Sequence, residues 1–456
     1  MLRLDQIKLN PDQKEDALRA RAARLLRVPA GDILSLRVLR RAVDAREELT
    51  LVYTLAVEVR NEQQVLRRCH DRRVSVYEPK LYTLPQPVTA PEVRPIVVGA
   101  GPAGLFAALV LSLCGARPIL LERGQPTERR IRDVETFWSG GALDTESNVQ
   151  FGEGGAGAFS DGKLNTGTRD LRHRWILEQM VSCGAPDTIL TDAKPHVGTD
   201  KLHITLQNLR RELQNHGADI RFGHRLDKVH VKDGRLTAVD VTGPEGTYTL
   251  PARQVILAPG HSARDTFAML YEAGAAMEQK PFAVGVRIEH RQADMDAVQY
   301  KTYVGHPGLG AASYKLSCHL PDGRSAFSFC VCPGGQVVAA ASETGQVVTN
   351  GMSEYAEMDV GHSHFLYVEG FRPILSGLAG FFLLPGECVL LLYFSQVFRQ
   401  VYDSYRKLQA LGSKNPCVFC FLFFHVRFRH LHSPLSTLHS RFYTERSLRL
   451  TALEMK

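Results

Sequence analysis

The sequence predicts an α/β protein built on a parallel β-sheet, with an inserted α+β domain and a small N-terminal α/β module. A buried strand leads directly into a glycine-rich turn and a helix at residues 95–113, and a second apolar strand follows at 118–121. Strands, glycine turns and helices then alternate to about residue 356, as in α/β folds. Because 456 residues exceed what one core usually supports, we predict four segments: 1–90, 91–265, 266–356 and an atypical tail, 357–456.

The N-terminal module is predicted from one helical and two strand patterns. Asn10 precedes a proline and lies three residues before Gln13, which is the spacing of a helix-capping box, and apolar residues continue at helical intervals to residue 26. Residues 49–59 are rich in β-branched side chains and predict a strand, with a weaker strand at 33–38. We therefore expect a helix that begins directly after Asn10 and belongs to a small α/β unit.

The turn after the strand at 96–98 carries the strongest chemical signal. Gly99, Gly101 and Gly104 have the spacing of a dinucleotide-binding fingerprint, whose glycines permit a tight turn, a close approach of pyrophosphate, and close packing of the next helix. The amino end of that helix would present free N–H groups to the phosphates. The residues predicted to bind a cofactor here are Gly99, Ala100, Gly101, Pro102, Ala103 and Gly104.

An acid closes the second strand of this unit. Glu122 lies about 20 residues beyond the glycines, where a carboxylate accepts hydrogen bonds from the adenosine ribose. We predict that Glu122 and its neighbour Arg123 contact the cofactor. Strand, helix, second strand and acid agree with one another, so an adenine dinucleotide site is favoured over an ordinary glycine-rich turn. The fingerprint alone does not distinguish FAD from NAD.

A second glycine-rich segment, residues 147–164, reads SNVQFGEGGAGAFSDGKL. Such a segment exposes backbone N–H groups at close range and can form an anion-binding nest around part of a large cofactor. Within it we predict cofactor contacts from Gly154, Gly155, Ser160 and Asp161. The alternative is a flexible surface loop, since glycine also marks flexible chain.

A third segment, residues 252–265, contains an apolar strand that ends at Gly260. Before it, residues 224–241 predict a hairpin that turns at Asp233-Gly234. If the strand at 252–258 returns to the parallel sheet beside the first strand, Gly260 lies close to the cofactor. His261 would then lie at the carboxyl edge of the sheet, where ligands of such sheets bind.

Six motifs in this order resemble those of the NAD(FAD)-utilizing dehydrogenases, a family of FAD-dependent proteins whose substrates are mostly undefined. The resemblance covers about residues 1–356, and its motifs lie at 99–109, 151–164, 195–202, 257–267, 280–290 and 330–356. The resemblance implies an FAD-binding Rossmann-like domain with a three-layer ββα-type arrangement. It also implies non-covalently bound FAD, with the adenine ribose at Glu122 and the pyrophosphate at the fingerprint turn.

Three residues are candidates for catalytic proton transfer. His196 and Asp200 form a potential pair in the motif HVGTD, and His261 follows the third strand. For the pair, helix capping and local hydrogen bonding are the favoured alternative. For His261, a hydrogen-bonded loop without chemistry is an equal alternative.

The cysteines do not predict a metal site. Cys330 and Cys332 would share one face of a strand and suggest a redox pair, but packing as small hydrophobic side chains is favoured. Cys417 and Cys420 have a spacing seen in zinc sites, yet no second pair follows and the flanking residues are strongly apolar.

Charge and hydropathy constrain partners and compartment. The net charge of +7 fits an anionic ligand. Four arginines of the first helix could meet RNA phosphates, but a solvated helix face is favoured, so nucleic acid is not expected: Arg19, Arg21, Arg24 and Arg27. Residues 374–398 are the only candidate membrane span, and Glu387 in their middle argues against one. With no secretory pattern and no disulfide framework, we expect a cytoplasmic protein.

The sequence therefore predicts an FAD-dependent oxidoreductase that acts on a small molecule, with electrons carried by the flavin. NADH or NADPH is a candidate electron donor that one dinucleotide fingerprint does not decide. Similar flavoproteins return to the FAD domain through another glycine-rich segment near the carboxyl end, and none follows residue 356. Two alternatives stay open: a flavin- or nucleotide-binding protein without turnover, and an RNA-modifying flavoprotein.

Overall fold

The computed structural model describes residues 1–164, 170–278, 283–319, 325–332, 334–346, 348–354, 362–370 and 450–454. It confirms an α/β protein in which a parallel sheet is combined with antiparallel sheets. The membrane candidate at 374–398 and the cysteine pair at 417 and 420 lie outside the described residues. Within the described part, no helix is long and apolar enough to cross a membrane.

The N-terminal module is an antiparallel sheet of order β2-β3-β1-β4 that packs against a helix. Its core also includes Tyr300 and Leu309, which belong to the predicted segment 266–356. The module therefore shares its core with this third part of the protein. Its elements are β1 (Leu2–Leu9), α1 (Ala17–Leu26), β2 (Ile33–Asp44), β3 (Thr50–Val59), α2 (Glu62–Arg68) and β4 (Val74–Val76).

The predicted start of the first helix is wrong. The capping contacts do form, since the Asn10 N–H donates to the Gln13 side-chain oxygen and the Asp12 N–H donates to Asn10 Oδ1, both at 3.1 Å. However, they close a turn, and α1 begins only at Ala17. The Asn10 amide also donates to the Tyr303 hydroxyl at 2.9 Å, so a tertiary contact helps to hold that turn.

The central part contains a parallel sheet of order β11-β5-β6-β7 and an antiparallel sheet of order β10-β9-β8. The strand before Gly260 pairs in parallel with the first strand of the fingerprint, as predicted. The elements are β5 (Ile96–Val98), α3 (Pro102–Leu113), β6 (Ile119–Glu122), α4 (Thr127–Trp138), α5 (Arg172–Ser182), α6 (Thr199–Asn215), β7 (Asp219–Phe222), β8 (Arg225–Lys232), β9 (Arg235–Gly243), β10 (Gly246–Pro251), β11 (Val255–Leu257) and α7 (Arg264–Glu272).

The parallel sheet is the middle one of three layers. Side chains alternate between its two faces: Val97 and Leu120 pack in one cluster with α3 and α6, whereas Val98 and Leu121 pack in another with β8 and β9. Both faces are therefore covered, which explains why the strands read as uninterrupted apolar runs. This arrangement confirms the predicted ββα layering. The β8–β9 hairpin turns at residues 233 and 234, both with positive φ, as a tight hairpin turn requires.

The third part contains a five-stranded sheet of order β13-β14-β17-β12-β18 and a two-stranded sheet, β15-β16. The predicted boundary at 265 falls inside α7, whose Met269 packs in the core cluster of the β8–β9 sheet. The predicted boundary at 356 also divides a unit, because two strands of the five-stranded sheet, β17 and β18, come from beyond that residue. The elements are β12 (Ala283–Arg291), α8 (Gln292–Tyr300), β13 (Ser317–His319), β14 (Ser325–Cys332), β15 (Gln336–Ala339), β16 (Thr349–Met352), β17 (His362–Gly370) and β18 (Leu450–Glu454).

Candidate cofactor site

A cavity of about 310 Å³ lies at the carboxyl ends of β5, β6 and β11. This edge is where open α/β sheets bind ligands, and the volume falls at the lower end of small-molecule sites. Five chain segments contribute to its wall: the β5–α3 turn, the end of β6, and parts of residues 150–157, 224–226 and 258–266.

The first turn of α3 forms one side of the cavity. Gly101 precedes the helix with an extended backbone (φ −73°, ψ 178°), Pro102 is the first helical residue, and no side chain caps the helix. The N–H groups of Ala103 and Gly104 therefore have no partner within the helix. Together with the positive end of the helix dipole, they form a binding site for an anionic group such as a phosphate.

The three fingerprint glycines have different roles. A Cβ on Gly99 would lie 2.2 Å from the Ala258 carbonyl oxygen, and one on Gly104 would lie 1.8 Å from the Gly99 carbonyl oxygen. These two glycines are therefore required by packing. A Cβ on Gly101 would meet only the Gly155 Cα, at 3.9 Å. Gly101 thus leaves open space beside the helix terminus, so the residues present fit the pyrophosphate of a dinucleotide.

Glu122 connects the two glycine-rich segments through backbone N–H groups. Its side chain is buried, and Oε2 accepts a hydrogen bond from the Ala100 N–H at 2.6 Å. Its Oε1 accepts from Gly124 at 2.8 Å and from Gly152 at 2.9 Å. Each carboxylate oxygen has two lone pairs, and the described bonds leave Oε2 with capacity for a hydroxyl. The role of Glu122 toward a ribose stays a prediction.

Arg130, which is not among the residues predicted from the sequence, holds the second glycine-rich segment. This arginine of α4 is fully buried and donates to the carbonyls of Asn148, Val149 and Glu153 at 2.6–2.9 Å. Burial lowers its pKa to about 10, although the nearby carboxylates of Glu122 and Glu153 oppose this shift. Only the excess of basic residues in ERRIRD at 128–133 could have indicated it.

The structure brings only part of the glycine-rich segment to the cavity. Gly155 lines it, whereas the Gly154 N–H donates to the Ala100 carbonyl at 2.8 Å and is not available to a ligand. Ser160 and Asp161, which the sequence predicts to contact the cofactor, do not line the cavity. A 3₁₀ helix, Gly155–Phe159, leads the chain away from it, and Asp161 forms an ion pair with Lys163.

The cavity wall also contains Gly260 and His261, whose roles toward a cofactor stay predictions, together with His224, which no sequence pattern indicated. Arg123 also lines the cavity and pairs with Glu146 at 2.7 Å and with Asp265 at 2.9 Å. Burial alone would lower the pKa of Arg123, but the hydrogen bonds to these two carboxylates raise it above its ordinary value. Ala100 and Gly104 lie in the supporting backbone and not in the cavity wall.

The three proposed catalytic residues do not share the cavity. His261 lines the cavity, whereas His196 and Asp200 do not. His196 Nε2 lies 3.2 Å from the Ser353 hydroxyl. Burial, with a smaller contribution from the charge of Lys163, lowers the pKa of His196 to about 4, and Asp200 opposes the shift. His196 is therefore neutral at pH 7.

Of the candidate redox pair at Cys330 and Cys332, the side chain of Cys332 is described and is packed. Cys332 is buried, and its Sγ lies 3.5 Å from Lys163 Nζ. The side chain of Cys330 lies outside the described residues. Within the same described ranges, no cluster of three or more potential metal ligands occurs.

Comparisons with known proteins agree with this site. Residues 94–176 match the FAD binding domain family, residues 281–361 match the C-terminal domain-like family of FAD-dependent proteins, and residues 1–60 match a domain of unknown function. An uncharacterized protein of Clostridium beijerinckii is 42% identical over 359 residues, which are 78% of this chain and 67% of that protein. Fold, cavity and matches define a flavoprotein. The chain belongs to a family of FAD-dependent oxidoreductases.

Solved structures provide more distant likenesses. A glycerol-3-phosphate dehydrogenase from Bacillus halodurans complexed with FAD has 12% identity and a TM-score of 0.32, with 62% of this chain and 48% of that chain covered. A p-nitrophenol 4-monooxygenase from Pseudomonas putida has 14% identity and a TM-score of 0.30, with 69% of this chain and 62% of that chain covered. This chain thus spans about half to two thirds of these structures.

Proposed function

We propose that this chain binds FAD with its adenosine ribose at Glu122 and its pyrophosphate at the first turn of α3, and transfers electrons to or from a small molecule. One observation carries the proposal: the open helix terminus, the Glu122 carboxylate and the Gly155 turn line one cavity. When bound, the flavin supplies the electron-transfer chemistry, and the protein orients it.

His261 is the proposed residue beside the cofactor, because it is the candidate that lines the cavity. Its imidazole would hold or move a proton at the edge of the sheet. We assign His196 and Asp200 no contact with the cofactor. We propose NADH or NADPH as the electron donor.

The test is a visible absorption spectrum of the purified full chain before and after incubation with FAD and gel filtration. A retained flavin spectrum is expected. Anaerobic titration with NADH and, separately, NADPH should then bleach the flavin band with one of the two donors. A chain that stays colourless after incubation with FAD would refute the proposed function.

The alternative is a flavin-binding protein without turnover. One observation supports it: the family matches end at residue 361. In that case the protein would retain FAD and dithionite would bleach it. Neither nicotinamide would then support repeated reduction when oxygen is admitted. Sustained oxygen-dependent consumption of NADH or NADPH would exclude this alternative.

A further inference from the structure

Arg287 is a buried cation in the third part of the chain. It lies on β12, and 6% of its surface is exposed. Its Nε donates to the Thr349 carbonyl at 3.2 Å, and its Nη2 donates to Asn350 Oδ1 at 3.3 Å. Both partners are uncharged. Since a guanidinium has five N–H donors, these bonds use only part of its capacity and balance none of its charge.

Two other cations that the structure describes, the half-buried Arg123 and the buried Arg130, have carboxylates near them. Arg123 pairs with two acids, and Arg130 lies in the field of Glu122 and Glu153. For Arg287, no ion pair occurs with any side chain that the structure describes. A buried charge is costly unless an opposite charge accompanies it. A bound anion would supply the negative charge that the described side chains do not.

The position of Arg287 connects it to the cofactor cavity. Asn350, which accepts the Arg287 bond, donates from Nδ2 to the Phe159 carbonyl at 3.0 Å. Phe159 ends the 3₁₀ helix whose first residue, Gly155, lines the cavity. A single side chain thus separates the guanidinium from the segment that forms the cavity wall.

We propose that Arg287 binds the carboxylate of a small organic acid, which is the substrate of the flavin site. A planar guanidinium binds a carboxylate through two parallel hydrogen bonds. Thr349 and Asn350 would hold the guanidinium in place, and its remaining N–H groups would face the anion. This assignment of a substrate class rests on the proposed function, whereas anion binding by Arg287 does not.

Equilibrium dialysis of the full chain with labelled benzoate or succinate tests the proposal, with and without added FAD. Benzamide is the uncharged control ligand, and inorganic phosphate is a second anion. Both carboxylates should bind, and benzamide should not. In the FAD-loaded protein, benzoate should also perturb the flavin spectrum, since Asn350 connects the Arg287 site to the segment whose first residue lines the cavity.

Arg287→Met should weaken benzoate and succinate binding at least tenfold and leave FAD retention unchanged. Arg287→Lys keeps the charge but cannot form the two parallel hydrogen bonds. Its affinity for benzoate and succinate should therefore lie between those of the wild type and Arg287→Met. Arg291→Met is the matched control, because Arg291 ends the same strand, is 61% exposed and pairs with Asp294. It should bind both acids as the wild type does.

Three results would overturn the proposal: no carboxylate binding by the wild-type chain, equal binding by Arg287→Met, or binding of phosphate alone. If Arg287→Met does not fold, as judged by circular dichroism, then Arg287→Lys and the wild-type comparison of benzoate with benzamide decide the matter. Failure of FAD retention would refute the proposed function but leave the dialysis result on the apoprotein interpretable.

Discussion

Replacement of Gly101 by valine is the sharpest perturbation of the proposed cofactor site. The backbone at Gly101 is extended, with φ −73°, so an L-residue adopts it without strain. Its Cβ would meet only the Gly155 Cα, at the ordinary contact distance of 3.9 Å. The valine methyl groups would instead occupy space between the α3 terminus and Gly155, where we propose that the pyrophosphate binds.

The expected effects on stability and on binding differ widely. The free energy of unfolding should fall by only about 1 kcal/mol, because the Cβ meets no clash but valine is a poor residue at a helix N-cap. If the phosphates lose two hydrogen bonds of about 1.5–3 kcal/mol each, FAD binding weakens by about 3–6 kcal/mol. This loss corresponds to a dissociation constant that is roughly a hundred to ten thousand times higher.

The assay is titration of the apoprotein with FAD, followed by quenching of flavin fluorescence, alongside thermal unfolding of the same samples. Gly31→Val is the matched control, because a Cβ at Gly31 has no atom within 4 Å and Gly31 lies in the N-terminal module, outside the cavity wall. It should bind FAD as the wild type does.

The contrast with Gly104 separates packing from binding. A Cβ at Gly104 would lie 1.8 Å from a backbone oxygen, so Gly104→Ala should destabilise the fold by about 3 kcal/mol or more. If Gly101→Val folds and binds FAD within threefold of the wild type, the pyrophosphate does not lie at this turn and the reasoning fails.

Two further predictions concern buried titratable groups. Arg130→Met should lower the free energy of unfolding in urea by about 3–5 kcal/mol, because three backbone carbonyls lose their donor and the carboxylates of Glu122 and Glu153 lose a nearby cation. An unchanged urea midpoint of unfolding would contradict this. For His196, the pKa is about 4 in the folded chain against 6.5 ordinarily. The unfolded chain therefore binds the proton first, and stability falls as the pH drops from about 6.5 to about 4, by up to about 3 kcal/mol. His196→Gln should remove that part of the pH dependence, and identical pH profiles of the two proteins would show that His196 does not titrate in this way.

Local patterns allowed the central features to be predicted. The turn at Gly99, the hairpin at residues 233 and 234, and the acid at Glu122 each depend on a few adjacent residues, because φ values, strand alternation and turn chemistry are local. The parallel position of β11 followed from general rules for such sheets. The strands also indicated the fold class, because uninterrupted apolar runs are typical of a parallel sheet that is covered on both faces.

Contacts between distant segments were not predictable in the same way. Arg130 reads as an ordinary charged helix residue until the fold places residues 148–153 around it. Ser160 and Asp161 share a motif with Gly155, yet a 3₁₀ helix removes them from the cavity. The capping residues at Asn10 formed their contacts but closed a turn. In each case the outcome depends on packing energies that short sequence patterns do not contain.

The sequence by itself determined that a strand, an open helix terminus and an acid would be available for a dinucleotide, because glycine spacing and strand periodicity are properties of neighbouring residues. Only the tertiary structure decided which groups share the cavity and which charges are left without a partner. Long-range packing buried Arg130 beside two acids and left Arg287 beside uncharged groups among the described side chains. Burial is a property of the assembled fold, and it is burial that makes an unbalanced charge significant.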